Sequence, residues 1–299
     1  TGTFLVAIKT LALEKFKKVS TLCCSFIKDL LWIGTEGGNV YQFDLKTFQI
    51  KESTIFHDAV YEQLPTSYKL NPGAIESIKQ IPNQPHLVLI AYNRGLAVLY
   101  DLEENKVIRS YVSPGHGQSV GIYVSHDGAK FTWYHADGSY ATWDVDKTDE
   151  PENVKYVPYG PDPCKAIDRL IRGHRGDHEV FIFSGGMPRS AYGDHQCISV
   201  HCKDGSKVAL DFTSKVIDFF VTFKDIDSIE EKPQAQVLIV LLEEEMVAYD
   251  LTQKSLPSVN APYLHSLHAS AVTSNYLASK VTADVYDKIV QAGIQQYAK

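Results

Sequence analysis

The stretch LLWIGTEGGNVYQFDL, residues 30–45, joins two apolar runs through a glycine-rich turn and ends on an aromatic residue, Asp44 and Leu. The same pattern recurs as HLVLIAYNRGLAVLYDL at 86–102, KFTWYHADGSYATWDV at 130–145 and QVLIVLLEEEMVAYDL at 236–251. The four closing aspartates are 57, 43 and 106 positions apart, and the last interval is two periods of 53. Paired strands that repeat every ~40–50 residues are typical of β-propeller blades. The chain is therefore predicted to be an all-β, WD40-like β-propeller.

Turn residues and short apolar runs indicate about five complete four-stranded blades of a larger ring. Residues 1–277 are predicted to form this partial propeller. Residues 278–299 are predicted to contain a short C-terminal helix, because Val281, Val285 and Ile289 recur at helical spacing. The chain starts without Met and in mid-pattern, so we expect it to be a piece of a longer protein.

Composition narrows the class of partner and the compartment. The formal charge is −7 with a pI near 5.9, which argues against nucleic acid, because phosphate binding needs a concentrated basic face. The five cysteines are an odd number, two of them are adjacent, and none form a C-x-x-C pair. In a chain of this size such sparse usage is typical of reduced thiols in the cytosol. No apolar run approaches 18 residues, so no transmembrane segment is predicted.

The third repeat carries a Gly-His pair ahead of its Trp-Asp pair, the signature of WD40 blades. In such blades a buried histidine, a turn aspartate, a strand hydroxyl and the tryptophan form one hydrogen-bonded chain. The predicted network residues are His116, Asp137, Trp143 and Asp144, with Thr132 as the hydroxyl. Such a network satisfies buried polar groups that are otherwise costly, so we interpret it as structural and not catalytic.

Catalytic and metal-binding motifs are missing from the sequence. It contains no G-x-S-x-G elbow, P-loop or H-E-x-x-H motif, so no catalytic residue and no cofactor are predicted. Cys197, His201 and Cys202 lie close together, but the two thiols would point to opposite faces of a strand. No further ligands are spaced to complete a tetrahedral zinc site, so no metal site is predicted either.

The fourth repeat differs from the others, because a long glycine-rich loop replaces its short hairpin turn. The residues predicted to bind a partner are Gly185, Gly186, Met187, Pro188, Arg189, Tyr192, Asp194 and His195. Loops on a rigid scaffold often carry function, and we expect Met187, Arg189 and Tyr192 to be exposed there. The alternative interpretation is a plug that packs across the mouth of the channel.

Several stretches resemble the lethal giant larvae family. They are YVPYGPDPCKAIDRL at 156–170, FSGGMPRSAYGDHQCISVH at 183–201, LDFTSKVIDFF at 210–220 and APYLHSLHASAVT at 261–273. The resemblance extends back through GTEGGNVYQFDL at 34–45, so it covers essentially the whole chain. The sequence SGGMPRSAYGD is closer to this family than to the related tomosyns.

The resemblance implies a double-propeller protein, with this chain spanning the later part of the first propeller and the crossover towards the second. It implies a non-enzymatic scaffold of cell polarity and SNARE-dependent exocytosis, cytoplasmic with a cortical, plasma-membrane-associated pool. Expected partners are syntaxin-type SNAREs, the Par-6/atypical protein kinase C complex and non-muscle myosin II. Some members are credited with GTPase-activator activity. A coat or tether propeller of vesicle traffic, or a propeller hydrolase, are the alternatives.

Overall fold

The computed structural model describes residues 18–27, 29–64, 73–113, 118–147, 155–225, 228, 231–243 and 245–259. The chain divides into two compact units, each described by itself below. Unit 1 takes the residues up to 172 together with 182–194, and unit 2 takes 173–181 and the residues from 195 onwards. The helix predicted within residues 278–299 lies outside the described residues, and so does His116.

Two four-stranded antiparallel sheets follow one another at the start of the described chain. Sheet 1 contains, in order, β1 (Val19–Cys24), β2 (Leu30–Thr35), β3 (Val40–Asp44) and β4 (Gln49–Ile50). Helix α1 (His57–Glu62) lies in the connection that follows. Sheet 2 contains β5 (Ile75–Ile81), β6 (Gln84–Tyr92), β7 (Leu96–Asp101) and β8 (Lys106–Val112). Both sheets have the strand order predicted for propeller blades.

Sheet 3 has three strands, although its sequence is the most regular of the repeats. It contains β9 (Ser119–Val124), β10 (Lys130–His135) and β11 (Tyr140–Asp144). Where a fourth strand was expected, the described residues show a single bridge between Tyr140 and Tyr156. Pro158 follows that bridge closely, and proline cannot donate a hydrogen bond to a strand ladder.

Two further four-stranded sheets complete the described chain. Sheet 4 contains β12 (Ile167–Arg175), β13 (His178–Gly185), β14 (Gln196–Cys202) and β15 (Lys207–Phe212). The loop between β13 and β14 includes the short helix α2 (Arg189–Tyr192). Sheet 5 contains β16 (Val216–Phe223), β17 (Ala235–Leu242), β18 (Met246–Asp250) and β19 (Ser258–Val259). Four of the five expected four-stranded sheets are therefore present.

The repeated aspartate has the same structural role in sheets 1, 2, 3 and 5, where it ends the third strand. Its carboxylate accepts the backbone N–H two residues further on, from Lys46, Glu103, Asp146 and Thr252, at 2.8–3.0 Å. Hydrogen bonds from these turns lower the pKa of all four carboxyls. The recurring Asp therefore stabilises the turn that follows its strand.

Sheet 2 is buried on both faces, which explains its nearly continuous apolar sequence. Along β6, Val88 and Ile90 pack into a cluster with Trp32 of sheet 1. The alternate residues Leu87 and Leu89 pack into a second cluster, with residues of sheet 3. Because successive side chains on a strand point to opposite faces, one strand contributes to two cores.

Candidate functional site

The hydrogen-bonded chain predicted around Trp143 is not formed among the described residues. Trp143 is buried, but its indole N–H has no acceptor there. The Thr132 hydroxyl lies 3.3 Å from the hydroxyl of Thr142 instead. The tryptophan that does donate is Trp133, whose Nε1 lies 2.7 Å from Ser119 Oγ. His116 lies outside the described residues, so the network as a whole stays a prediction.

Asp137 holds the β10–β11 turn to the stretch that leads from sheet 3 to β12; we call its described residues, 155–166, the connector. Its carboxylate accepts hydrogen bonds from the Ser139 N–H at 3.0 Å and the Ser139 hydroxyl at 2.5 Å, and it pairs with Lys155. Burial opposes ionisation of Asp137, but the bonds from Lys155 and Ser139 outweigh it and lower the carboxyl pKa. Asp144 accepts from its own turn and pairs with Lys147 at 3.3 Å.

The first part of the fourth-repeat loop, residues 185–188, docks onto the connector; we call it the docked segment. The Gly186 N–H donates to Ala166 O at 3.1 Å, and the Lys165 N–H donates to Met187 O at 2.8 Å. An antiparallel bridge joins Pro188 to Cys164. The docked segment therefore runs alongside residues 163–166 through main-chain hydrogen bonds, all within unit 1.

Gly185 allows the close approach of these two stretches. Its φ is +79°, and a Cβ atom built there would lie 1.9 Å from Ala166 O. Only glycine avoids both the steric contact and the strain of that backbone conformation. Met187, which we expected to be exposed, is 4% exposed, because its main chain is paired with the connector and its side chain packs inwards.

The remainder of the loop, residues 189–195, is exposed along its whole length; we call it the exposed segment. It begins with the single turn of α2, where the Tyr192 N–H donates to Pro188 O at 3.0 Å. Arg189 anchors its start, because its N–H donates to Pro163 O at 2.9 Å and its Nε donates to Cys164 O at 2.9 Å. Tyr192 is 36% exposed, and Asp194 also lies on the surface.

His195 belongs to unit 2 and contacts β15. Its Nδ1 lies 2.6 Å from Asp211 Oδ2, and the hydrogen bond between the two side chains lowers the pKa of the Asp211 carboxyl. Cys197 Sγ donates to the other oxygen of the same carboxylate at 3.4 Å. Both hydrogen bonds fix the chain where the loop enters β14.

The three side chains considered for zinc, Cys197, His201 and Cys202, all lie on β14. Cys197 points at Asp211, and burial lowers the pKa of His201 to about 4, with Lys207 adding to the shift. No group of three or more metal-ligating side chains occurs among the described residues. The residues that the structure describes also contain no helix with the length and apolar character needed to cross a lipid bilayer.

Sequence reasoning missed the connector residues that support the loop, namely Pro163, Cys164, Lys165 and Ala166. It also missed Lys155, which pairs with Asp137. The contribution of the residues that support the loop is mostly main-chain, so residue type gives little indication of it. The closely spaced prolines at 158, 161 and 163 were the available signal, because they mark a connector that cannot continue a sheet.

Comparison with known proteins gives consistent matches. A family model named LLGL, described as LLGL2, matches residues 155–257. The chain is 65% identical to the "Lethal(2) giant larvae protein" of Drosophila pseudoobscura pseudoobscura over 296 residues, which is 99% of this chain and 25% of the relative. It is 40% identical to human "LLGL scribble cell polarity complex component 2" over 277 residues, covering 90% of this chain and 27% of that protein. The chain thus spans about a quarter of the length of these relatives.

Solved structures support the fold. A chain of the crystal structure of the mitotic checkpoint complex superimposes with a TM-score of 0.57 at 12% identity, covering 83% of this chain and 67% of that one. The Cps50 (Swd1) β-propeller domain of Myceliophteria thermophila gives 0.51 at 14% identity, covering 84% and 71%. At such low identity the likeness concerns architecture alone, and it agrees with the consecutive antiparallel sheets. The fold is a WD40-type β-propeller.

Proposed function

The chain belongs to the lethal giant larvae family, and on that premise we propose that it is part of a non-enzymatic interaction scaffold that regulates cell polarity and SNARE-dependent polarised exocytosis. The observation that carries the proposal is the 65% identity over 99% of the chain with a Drosophila Lethal(2) giant larvae protein. The name of the human relative, "LLGL scribble cell polarity complex component 2", supports a role exerted through protein partners.

Within this scaffold we assign partner binding to the exposed segment. Arg189 and Tyr192 are residue types that anchor interfaces, because each combines a large contact area with directional hydrogen bonding. The docked segment holds them in place, so little conformational entropy is lost when a partner binds. Met187 is buried, and its contribution is support of the surface, not contact with a partner.

The proposed partners are syntaxin-type SNAREs, the Par-6/atypical protein kinase C complex and non-muscle myosin II. The proposed location is the cytoplasm with a cortical, plasma-membrane-associated pool. GTPase-activator activity is a further family property, but no arginine of this chain can be assigned to it as a catalytic finger. These proposals rest on family membership, and the exposed segment supplies the surface through which any one of them can be tested.

The test is a double substitution, Arg189→Ala with Tyr192→Ala, in the full-length protein. Capture of each purified partner is measured together with the melting temperature. Two interface anchors are each worth about 1–3 kcal/mol, so capture of the partner that uses this surface should fall at least tenfold. The matched control is Lys51→Ala with Phe56→Ala, an exposed cation and an exposed aromatic residue outside the loop.

A tenfold loss in the double variant, with an unchanged control and a melting temperature lowered by only a few degrees, would support the assignment. If the double variant captures all three partners as well as the unmodified protein does, the exposed segment is not their binding surface. If the double variant melts far below the control, the loop acts as a structural plug and the assignment fails.

A further inference from the structure

The last strand of sheet 4, β15, differs from the last strands of the other four-stranded sheets. Its six residues pair with β14 without interruption, from Phe212 opposite Gln196 to Lys207 opposite His201. The last strands of sheets 1 and 5, β4 and β19, have two residues each, and the pairing of β8 with β7 shifts register part-way along. β15 is therefore the longest regular edge strand of this kind in the part of the chain that the structure describes.

The turn between β14 and β15 sets the direction of the main-chain groups of β15. The Cys202 N–H donates to Ser206 O at 2.9 Å, which makes these two residues a hydrogen-bonded pair. Hydrogen-bonded and non-hydrogen-bonded pairs alternate along an antiparallel ladder, so the next residue, Lys207, belongs to a non-hydrogen-bonded pair. The same holds for every second residue along β15, namely Ala209 and Asp211. The N–H and C=O groups of these three residues therefore point away from β14, at the edge of the sheet.

Sheets 1 and 3 show how such main-chain groups are used, because Val40 and Tyr140 occupy the same position after a turn of the same geometry. Val40 exchanges two main-chain hydrogen bonds with Ile55, at 2.9 Å each. Tyr140 exchanges two with Tyr156, at 3.0 Å each. Ala209 is exposed and has no such main-chain partner among the described residues. An uncovered edge of this kind can accept a further strand.

The side chains of β15 alternate between two environments. On one face they are half-buried, and there the ring centroids of Phe212 and Tyr249 lie 6.3 Å apart. On the other face three side chains are exposed, with a positive charge on Lys207, a methyl group on Ala209 and a negative charge on Asp211. The small residue in the middle lets another main chain approach, and the two charges at the ends select what that chain carries.

We propose that β15 binds an extended segment of a partner protein, which adds to sheet 4 as an antiparallel fifth strand. Strand addition takes its affinity from main-chain hydrogen bonds and its specificity from the facing side chains. Opposite charges that face each other across an antiparallel pair stabilise it. The segment therefore carries a cation opposite Asp211 and, four residues later, an anion opposite Lys207, with β-branched residues between them. This edge shares no residue with the exposed segment, so failure of the proposal would leave the proposed function untouched.

The test uses a fluorescein-labelled peptide with this pattern, Thr-Arg-Val-Thr-Val-Glu-Thr, and two N-methylated forms of it. The central Thr lies opposite Ala209 in the expected register and donates its N–H to Ala209 O, so N-methylation there removes a hydrogen bond. N-methylation of the following Val is the matched control, because that N–H points away from β15. Binding to the full-length protein is measured by fluorescence polarisation.

Two further measurements test the edge and the charges. Ala209→Pro removes the outward N–H, and proline is tolerated at an edge position whose N–H faces solvent. A peptide with Arg and Glu exchanged places like charges opposite Asp211 and Lys207 in the antiparallel register. Each change should weaken binding by about threefold or more.

The unmodified peptide and the control form should bind with similar affinity, and the form methylated at the central Thr should bind about tenfold more weakly. Absence of binding by the unmodified peptide would overturn the proposal. Equal weakening by the two methylations would also overturn it, and so would equal binding of the charge-exchanged peptide. If Ala209→Pro lowers the melting temperature strongly, the comparison of the peptides on the unmodified protein decides alone.

Discussion

The docked segment (185–188) and the exposed segment (189–195) are adjacent in sequence but differ in nearly every structural respect. The docked segment is bound to the connector by main-chain hydrogen bonds and buries Met187. The exposed segment is held at its start by Arg189 and has only surface residues. The loop therefore consists of a part that is paired with the connector and a part that lies on the surface. The first part rigidifies the second.

The largest effect that would test this division is expected for Gly185→Ala. The new Cβ atom would meet Ala166 O at 1.9 Å in a backbone conformation with φ of +79°, so the free energy of unfolding should fall by more than about 2 kcal/mol. Gly193→Ala is the matched control in the exposed segment, because Gly193 has an ordinary helical φ of −52°. The free energy of unfolding of both variants is measured by urea denaturation, and in the control it should fall by at most about 0.5 kcal/mol. Equal losses would show that the two segments are not structurally distinct.

A second pair of variants compares one large side chain from each segment. Met187→Ala creates a cavity at a 4% exposed position and should cost about 2–3 kcal/mol. Tyr192→Ala removes a side chain that is 36% exposed and should cost less than about 1 kcal/mol. Chemical denaturation measures both. Partner capture should respond in the opposite order, because Tyr192 alone lies on the surface. A larger loss of stability for Tyr192→Ala would reverse the assignment of the two segments.

A smaller effect is expected from Asp137, which ties the connector under the docked segment to the β10–β11 turn through Lys155. The folded-state pKa of Asp137 lies below its ordinary value, so the carboxylate stabilises the fold above pH ~4. That contribution is lost as the pH falls through the lowered folded-state pKa. Asp137→Asn should therefore cost about 1 kcal/mol at pH 7 and progressively less below pH ~4. Urea denaturation of both proteins across this range measures the difference, and a cost that does not change with pH would contradict the role of the charge.

The sequence predicted the strands well, because strand periodicity and turn residues are local signals. The recurring aspartates Asp44, Asp101, Asp144 and Asp250 lie at strand ends, as the repeated pattern indicated. The burial of Met187 could not be predicted, because it depends on main-chain pairing with a connector about twenty residues earlier. The hydrogen bond of Trp133 was missed for a similar reason: its partner Ser119 lies on another strand.

The docking of residues 185–188 onto 163–166 has a consequence for how this part of the chain tolerates genetic change. Its contacts join the main-chain atoms of Lys165 to Met187 and of Gly186 to Ala166, and the N–H of Arg189, the next residue, donates to Pro163 O. Main-chain contacts are indifferent to most side chains, so substitutions outside the glycines preserve the register of the two stretches. Deletion or insertion of a single residue in either stretch shifts every one of these contacts at once. The length of the connector is therefore under tighter constraint than its composition.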